Sequence, residues 1–207
     1  MEYLIMLPGA FLAPVIHEFV KAICSAMQGD PTPGEHGRLS LNPFRHFEPI
    51  GFAFVMLFGF GWGNPTPTSA LHYKDRRRGV VITYTVPVLV SLLLGVGTAV
   101  AMPFLPGWGW SLGPLDAFTL QLIVMQFSII NINLALFNLI PVYPLAANRL
   151  LIHFGRPDTI AAANHYEKFM QIGLILLLSL GMLGQLLGPA THHIFFWSIG
   201  RFDFLWR

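Results

Sequence analysis

Charge is what this chain has least of. Asp, Glu, Lys and Arg make up 11% of its 207 residues, against roughly a quarter in an ordinary soluble domain, and that scarcity argues against a soluble enzyme. Its single cysteine, Cys24, excludes an internal disulfide and any CxxC metal or redox site. The formal charge of +2 is spread over several loops and forms no basic face, so nothing points to nucleic acid. The first apolar segment lacks a basic leader and a small-residue cleavage motif, so it reads as a retained span and not as a removed signal peptide. Heptads, internal repeats and low-complexity tails are also missing.

Apolar surface is what the chain has in quantity. With 54% hydrophobic residues, 18 Phe, 5 Trp and a mean hydropathy of +0.60, a 23.1 kDa globule has too little interior to hide it. Lipid is the other solvent, and the chain reads as an all-α polytopic membrane protein. Four charge-poor blocks are long enough to cross a bilayer as helices: 3–27, 79–105, 117–140 and 169–187. A fifth, 49–71, holds GFGWGNPTPT, too rich in Gly and Pro for one continuous helix. A re-entrant or extended hairpin packed against protein is expected there, and such backbone at membrane depth tends to wall a cavity.

Basic residues gather in three loops: Arg38 and Arg45; Lys74 with Arg76, Arg77 and Arg78; and Arg149, Arg156 and Lys168. The 106–116 loop has none. The positive-inside rule puts those three loops in the cytoplasm and the amino terminus, the 106–116 loop and the carboxyl end outside. Residues 1–190 then form the transmembrane domain, and 191–207, which mix aromatics with Arg201, Asp203 and Arg207, form an interfacial tail.

Within the first span stand His17, Glu18 and Lys21. Ionisable groups at membrane depth are costly and mark functional sites, although a lysine near the end of a span can also extend its ammonium to the interface. The run HEFVK from His17 to Lys21 looks like an altered HExxH helix. Downstream stand GDPTPGEHGRLSLNPFRHFEPIGF over 29–52, FGWGNPTP over 60–67 and NINLALFNLIPVYPL over 131–145. In the same order, these are similar to the GD-GRLTLNP-H-DP-G, FGWAKPVP and N-x6-FNLIPIPPLDG segments of the site-2 protease family, the zinc-dependent intramembrane proteases. The resemblance covers roughly three quarters of the chain.

It implies a short bacterial-type member with an altered centre. In active members two histidines one helical turn apart and the aspartate of PLDG bind zinc, and the HExxH glutamate acts as general base on the metal-bound water. This chain keeps His17 and Glu18 but has Lys21 at the second histidine and Ala146 at the aspartate, followed by Ala147. An ammonium and a methyl group offer no lone pair to a metal, so zinc is expected to be lost and no cofactor to replace it. The family's AGP-x-x-N motif survives as Thr85, Val86 and Pro87, with Val90 in place of the asparagine thought to hold substrate. Zinc, aspartate and glutamate sum to about zero charge, and so do Lys21 and Glu18. Loss of the cation together with the carboxylate, and gain of an ammonium, avoids an unpaired buried charge. Lys21 is therefore expected to pair with Glu18 near the vacated metal position.

Other residues have alternatives. Asn131, Asn133 and Asn138 lie in one apolar helix, the first and last on a shared face, and read either as interhelical hydrogen-bond residues or, with Trp62, Pro65 and Pro141, as remnants of a substrate groove. His46 reads as a loop hydrogen-bond residue, the 192–193 histidine pair as interfacial and Cys24 as a small buried hydrophobe. Ser25 and Ser91 have no base nearby in sequence. The expected function is that of a catalytically inactive scaffold or subunit of a larger membrane assembly that packs against transmembrane segments of partner proteins in a bacterial inner membrane. An active zinc-dependent protease with an unconventional ligand set is the alternative, and a small transporter is disfavoured because no paired broken helices recur in two halves.

Overall fold

The structure is a computed structural model and describes residues 2–105, 111–112, 115–156, 160 and 165–201. Most of residues 106–116, expected outside the membrane, and residues 202–207 of the expected tail lie outside the described residues. Among the described residues three helices are long and apolar enough to span a bilayer: α1 (Glu2–Met27), α4 (Arg76–Ala101, whose span extends through Phe104) and α5 (Ala117–Phe137). They pack on one another in all three pairings. Less than half of each span is buried by protein, and side chains such as Leu4, Leu89 and Leu93 point outward, as lipid-facing residues do.

Small residues bring the three helices together. The Gly95 backbone of α4 lies so close to α5 that an added Cβ would fall 2.6 Å from the Ile132 side chain and 2.9 Å from the Ser128 carbonyl. Ser128 Oγ donates to the Gly95 carbonyl at 2.6 Å, a bond that lipid cannot replace. Gly9 gives α1 the same close approach to Phe127 and Ile130 of α5.

Between α1 and α4 the chain forms a one-turn helix, α2 (Thr32–Glu35), and then a short helix, α3 (Pro49–Phe58). Glu48 caps α3, with its side chain accepting from the Gly51 amide, Pro49 fills the first turn, and Gly59 ends the helix at a φ of +75°. Ten residues cannot cross the hydrocarbon. The extended return, residues 60–69, folds back onto α3 so tightly that a Cβ at Gly51 would strike the Trp62 carbonyl oxygen, and one at Gly61 the Gly51 carbonyl oxygen. This is the expected hairpin, one arm helical and the other extended.

After α5 come α6 (Ala146–Phe154), α7 (Glu167–Ser179) and α8 (Met182–Arg201). The fourth apolar block, expected as one helix over 169–187, is broken instead: α7 and α8 meet at 72°, with Gly181 at a φ of +69° ending the first arm. Counted as one span, the bent pair gives four. Residues 191–201, assigned to the tail in sequence, complete α8. Phe195 packs with Ala99 of α4 and Ile132 of α5, and Thr191 Oγ1 donates to Asn133 Oδ1 of α5 at 2.6 Å.

Candidate functional site

Helical spacing puts His17, Glu18 and Lys21 on the inner side of α1, all less than 10% exposed. The Lys21 ammonium lies 3.2 Å from Glu18 Oε2 and 3.4 Å from Oε1, and 5.6 Å from the centre of the Tyr84 ring on α4. The extended arm supplies the carboxylate's other partner. The Thr66 amide donates to Glu18 Oε2 at 2.6 Å, and Thr66 Oγ1 to the Glu18 carbonyl at 3.0 Å. Charge-assisted bonds to both a cation and a backbone amide compensate the burial of this carboxylate.

His17 Nδ1 lies 3.0 Å from Ser91 Oγ of α4. Ser91, which has no base nearby in sequence, thus has one in space, 74 positions away. Its hydroxyl is buried and does not line the neighbouring cavity, so the contact orients the imidazole and gives no route to a serine nucleophile.

His17, Glu18, Lys21, Trp62, Pro65, Asn138 and Ala146 line one cavity of about 20 Å³, room for about one water molecule. Asn138 fixes its far wall. Its side-chain oxygen accepts from the Ala146 amide at 3.3 Å, its carbonyl from the Ala147 amide at 3.0 Å, and its Nδ2 donates to the Leu134 carbonyl at 2.9 Å. The end of α5 thereby holds the start of α6 so that Ala146 faces α1. The structure leaves the other two candidates outside: Asn131 is fully buried with its Nδ2 bonded to the Phe127 carbonyl of its own helix at 2.8 Å, and Pro141 is exposed. Asn133, between the other two, also bonds beyond its own helix: it donates to the Gly59 carbonyl at 2.8 Å and accepts from Thr191.

Sequence reasoning passed over Thr66, Tyr84 and Asp30. Asp30, just beyond α1, is buried at 2% exposure. It accepts from Ser25 Oγ and the Ser69 amide at 2.7 Å each and from the Thr32 amide at 3.0 Å and its hydroxyl at 2.5 Å, with His72 Nδ1 at 3.3 Å. Burial pushes its carboxyl upward, but the hydrogen bonds outweigh that and hold it down at about 2. The one cue in sequence was the Gly29-Asp30 pair inside the family-like stretch. Asp30 is a structural clasp between the end of α1 and the chain entering α4.

The donor set does not fit a zinc ion. Of the three ligand positions implied by the family resemblance, only His17 carries a lone pair for a metal; Lys21 and Ala146 do not. Among the described residues no three His, Cys, Asp or Glu side chains come together.

No family model matches the chain, and no solved structure matches it with significance. A curated protein of Bacillus subtilis (strain 168), named "Putative zinc metalloprotease YwhC", is 30% identical over 185 residues, which cover 86% of this chain and 81% of that protein. The chain belongs to the site-2 protease family. The HEFVK helix, the extended arm and the FNLIP end of α5 with the residues that follow it, which carry the resemblance, all line the one small cavity.

Proposed function

We propose that this protein is a non-catalytic site-2 protease relative that packs against or binds transmembrane segments of partner proteins, as a scaffold or subunit of a larger assembly in a bacterial inner membrane. The observation that carries this reading is the Lys21–Glu18 pair at 3.2 Å, with the methyl group of Ala146 across the same small cavity. A metalloprotease needs several well-placed ligands and an open position for water; here an ammonium neutralises the residue that served as base. The amino terminus faces outside, because α1 runs from it toward the end of the bundle where Arg76 of α4 begins and where the basic loops lie.

The B. subtilis relative's name favours a second reading, an active zinc protease with an unconventional ligand set. Metal analysis of the protein purified in mild detergent, with a peptidase assay on a membrane-embedded peptide, separates the two. Absence of stoichiometric zinc and of cleavage is expected, together with a stoichiometric membrane partner that survives extraction. About one tightly held zinc per chain, with cleavage lost on chelation, would overturn the proposal.

A further inference from the structure

Next to the closed cavity, a wider cleft opens at the end of the bundle where the basic loops lie. One compartment, about 310 Å³, has Lys21, Arg149, Tyr84 and Tyr143 in its walls. The other, about 550 Å³, has Arg76, Arg149 and His153 with Val80 and Ile152. Thr68, Tyr84 and Arg149 line both, so the two adjoin. Among the described residues lining them there is no carboxylate. Glu18 meets Lys21 from the closed cavity, Asp75 pairs with Arg78 at 3.4 Å, and Glu167 acts on Tyr143 from outside the lining. The Arg149 guanidinium sits 4.9 Å over the Tyr143 ring, which fixes it at the junction of the compartments.

The described lining of the cleft holds the guanidinium groups of Arg76 and Arg149, the Lys21 ammonium shared with Glu18, and hydroxyl groups, with no carboxylate, a surface suited to an anion. Its depth selects the anion. Tyr84 lies eight residues beyond Arg76 on α4, about 12 Å at the helical rise, so the cleft runs from the first turn of the span into hydrocarbon depth, with the apolar side chains of Val80 and Ile152 in its wall. We infer that this cleft binds the phosphate of an anionic phospholipid, with the headgroup between Arg76 and Arg149 and the glycerol end against Val80 and Ile152. Basic pockets between transmembrane helices recognise phosphate headgroups in this way. A free phosphate shares the chemistry but has no use for the apolar floor. The inference does not depend on whether the protein is a protease.

Native mass spectrometry of the full chain, titrated with phosphatidylglycerol, phosphatidylcholine of the same acyl chains, and inorganic phosphate, tests it. Phosphatidylglycerol should bind in preference to phosphatidylcholine, and inorganic phosphate should not displace it. Removing a basic residue near the headgroup should weaken binding about fivefold, so Arg149→Gln with Arg76→Gln should weaken it about 25-fold, while Arg45→Gln, away from the cleft, should leave it unchanged. Equal binding of the two lipids, or full binding by the double variant, overturns the inference. Displacement by inorganic phosphate overturns the lipid as its source. If the double variant does not fold, the headgroup comparison on the unmodified protein decides alone.

Discussion

The Lys21 ammonium and the Glu18 carboxylate, one helical turn apart on α1, lie 3.2 Å from each other and are each about nine-tenths shielded from solvent. The carboxylate is held again from the extended arm by the Thr66 amide at 2.6 Å. The Glu18 carboxylate thus accepts from both an ammonium and a backbone amide. The Thr66 amide and hydroxyl, both on Glu18, tie α1 to the hairpin, and with the Lys21 pair they form an internal brace.

This brace predicts strong coupling between the two charges. Glu18→Gln leaves a buried ammonium without its carboxylate and should cost about 3–5 kcal/mol, the usual penalty for breaking a buried pair. Glu18→Gln combined with Lys21→Met removes both charges and should recover most of that loss. Denaturant unfolding of the detergent-solubilised protein measures both variants. Additive losses would show that the two side chains do not act as a pair.

The sequence made the spans and the charged trio visible for the same physical reason: in a chain this apolar, any charge stands out. Its blind spots were neutral. Thr66 and Ser91 are ordinary polar residues 48 and 74 positions from the side chains they contact, and neither hydropathy nor helical period carries such long-range pairings. The bend between α7 and α8 was hidden because LILLLSLGMLGQLL, over 174–187, offers no proline or charge at the break, only Gly181 adopting a left-handed conformation. Of Asn131, Asn133 and Asn138, all readable as interhelical hydrogen-bond residues, Asn133 bonds the Gly59 carbonyl and Thr191 and Asn138 the start of α6, whereas the Asn131 amide turns back to its own helix.

Asp30 predicts an acid limit to stability. Its carboxyl has an ordinary value of 3.8 and is held at about 2 in the fold, and its side chain is fully shielded. Because the folded value is the lower one, its contribution is present above pH 4 and is lost as the pH falls from about 4 to about 2. The gap corresponds to about 2 kcal/mol. Thermal melts between pH 7 and about pH 2 should show this loss in the unmodified protein. Asp30→Asn should start out less stable at pH 7 and lose less on acidification. A variant with an unchanged acid profile would exclude Asp30 as the responsible group.

Two sets of glycines predict opposite outcomes. Gly51→Ala and Gly61→Ala each drive a methyl group into backbone across the hairpin, where nothing flexible can yield, so both should displace the extended arm and open the cavity. Gly97→Ala, on the same helix as Gly95 but with nothing within 4 Å of an added Cβ, should be neutral or stabilise slightly, since alanine favours the helix by about 1 kcal/mol in water. Limited proteolysis near residues 60–69, with a melting curve, distinguishes the two sets. Equal sensitivity of all three variants would contradict the packing.

If the altered centre has lost its metal through two side chains and not through a changed fold, then restoring those two should bring zinc back. Lys21→His alone still lacks the acid ligand from α6 and should hold zinc only weakly. Lys21→His with Ala146→Asp supplies donors from both helices that already face the same cavity. His17 is ready for the role, because Ser91 Oγ at Nδ1 leaves Nε2 as the nitrogen available to a metal. The double variant should retain about one zinc per chain through dialysis, the number a tetrahedral site takes. It should gain no efficient peptidase activity, because Val90 stands where the family resemblance implies a substrate-holding asparagine. Metal analysis of the unmodified protein, the single variant and the double variant is the measurement. A double variant without zinc would mean that the walls of the cavity, and not only its donors, have departed from the family's geometry.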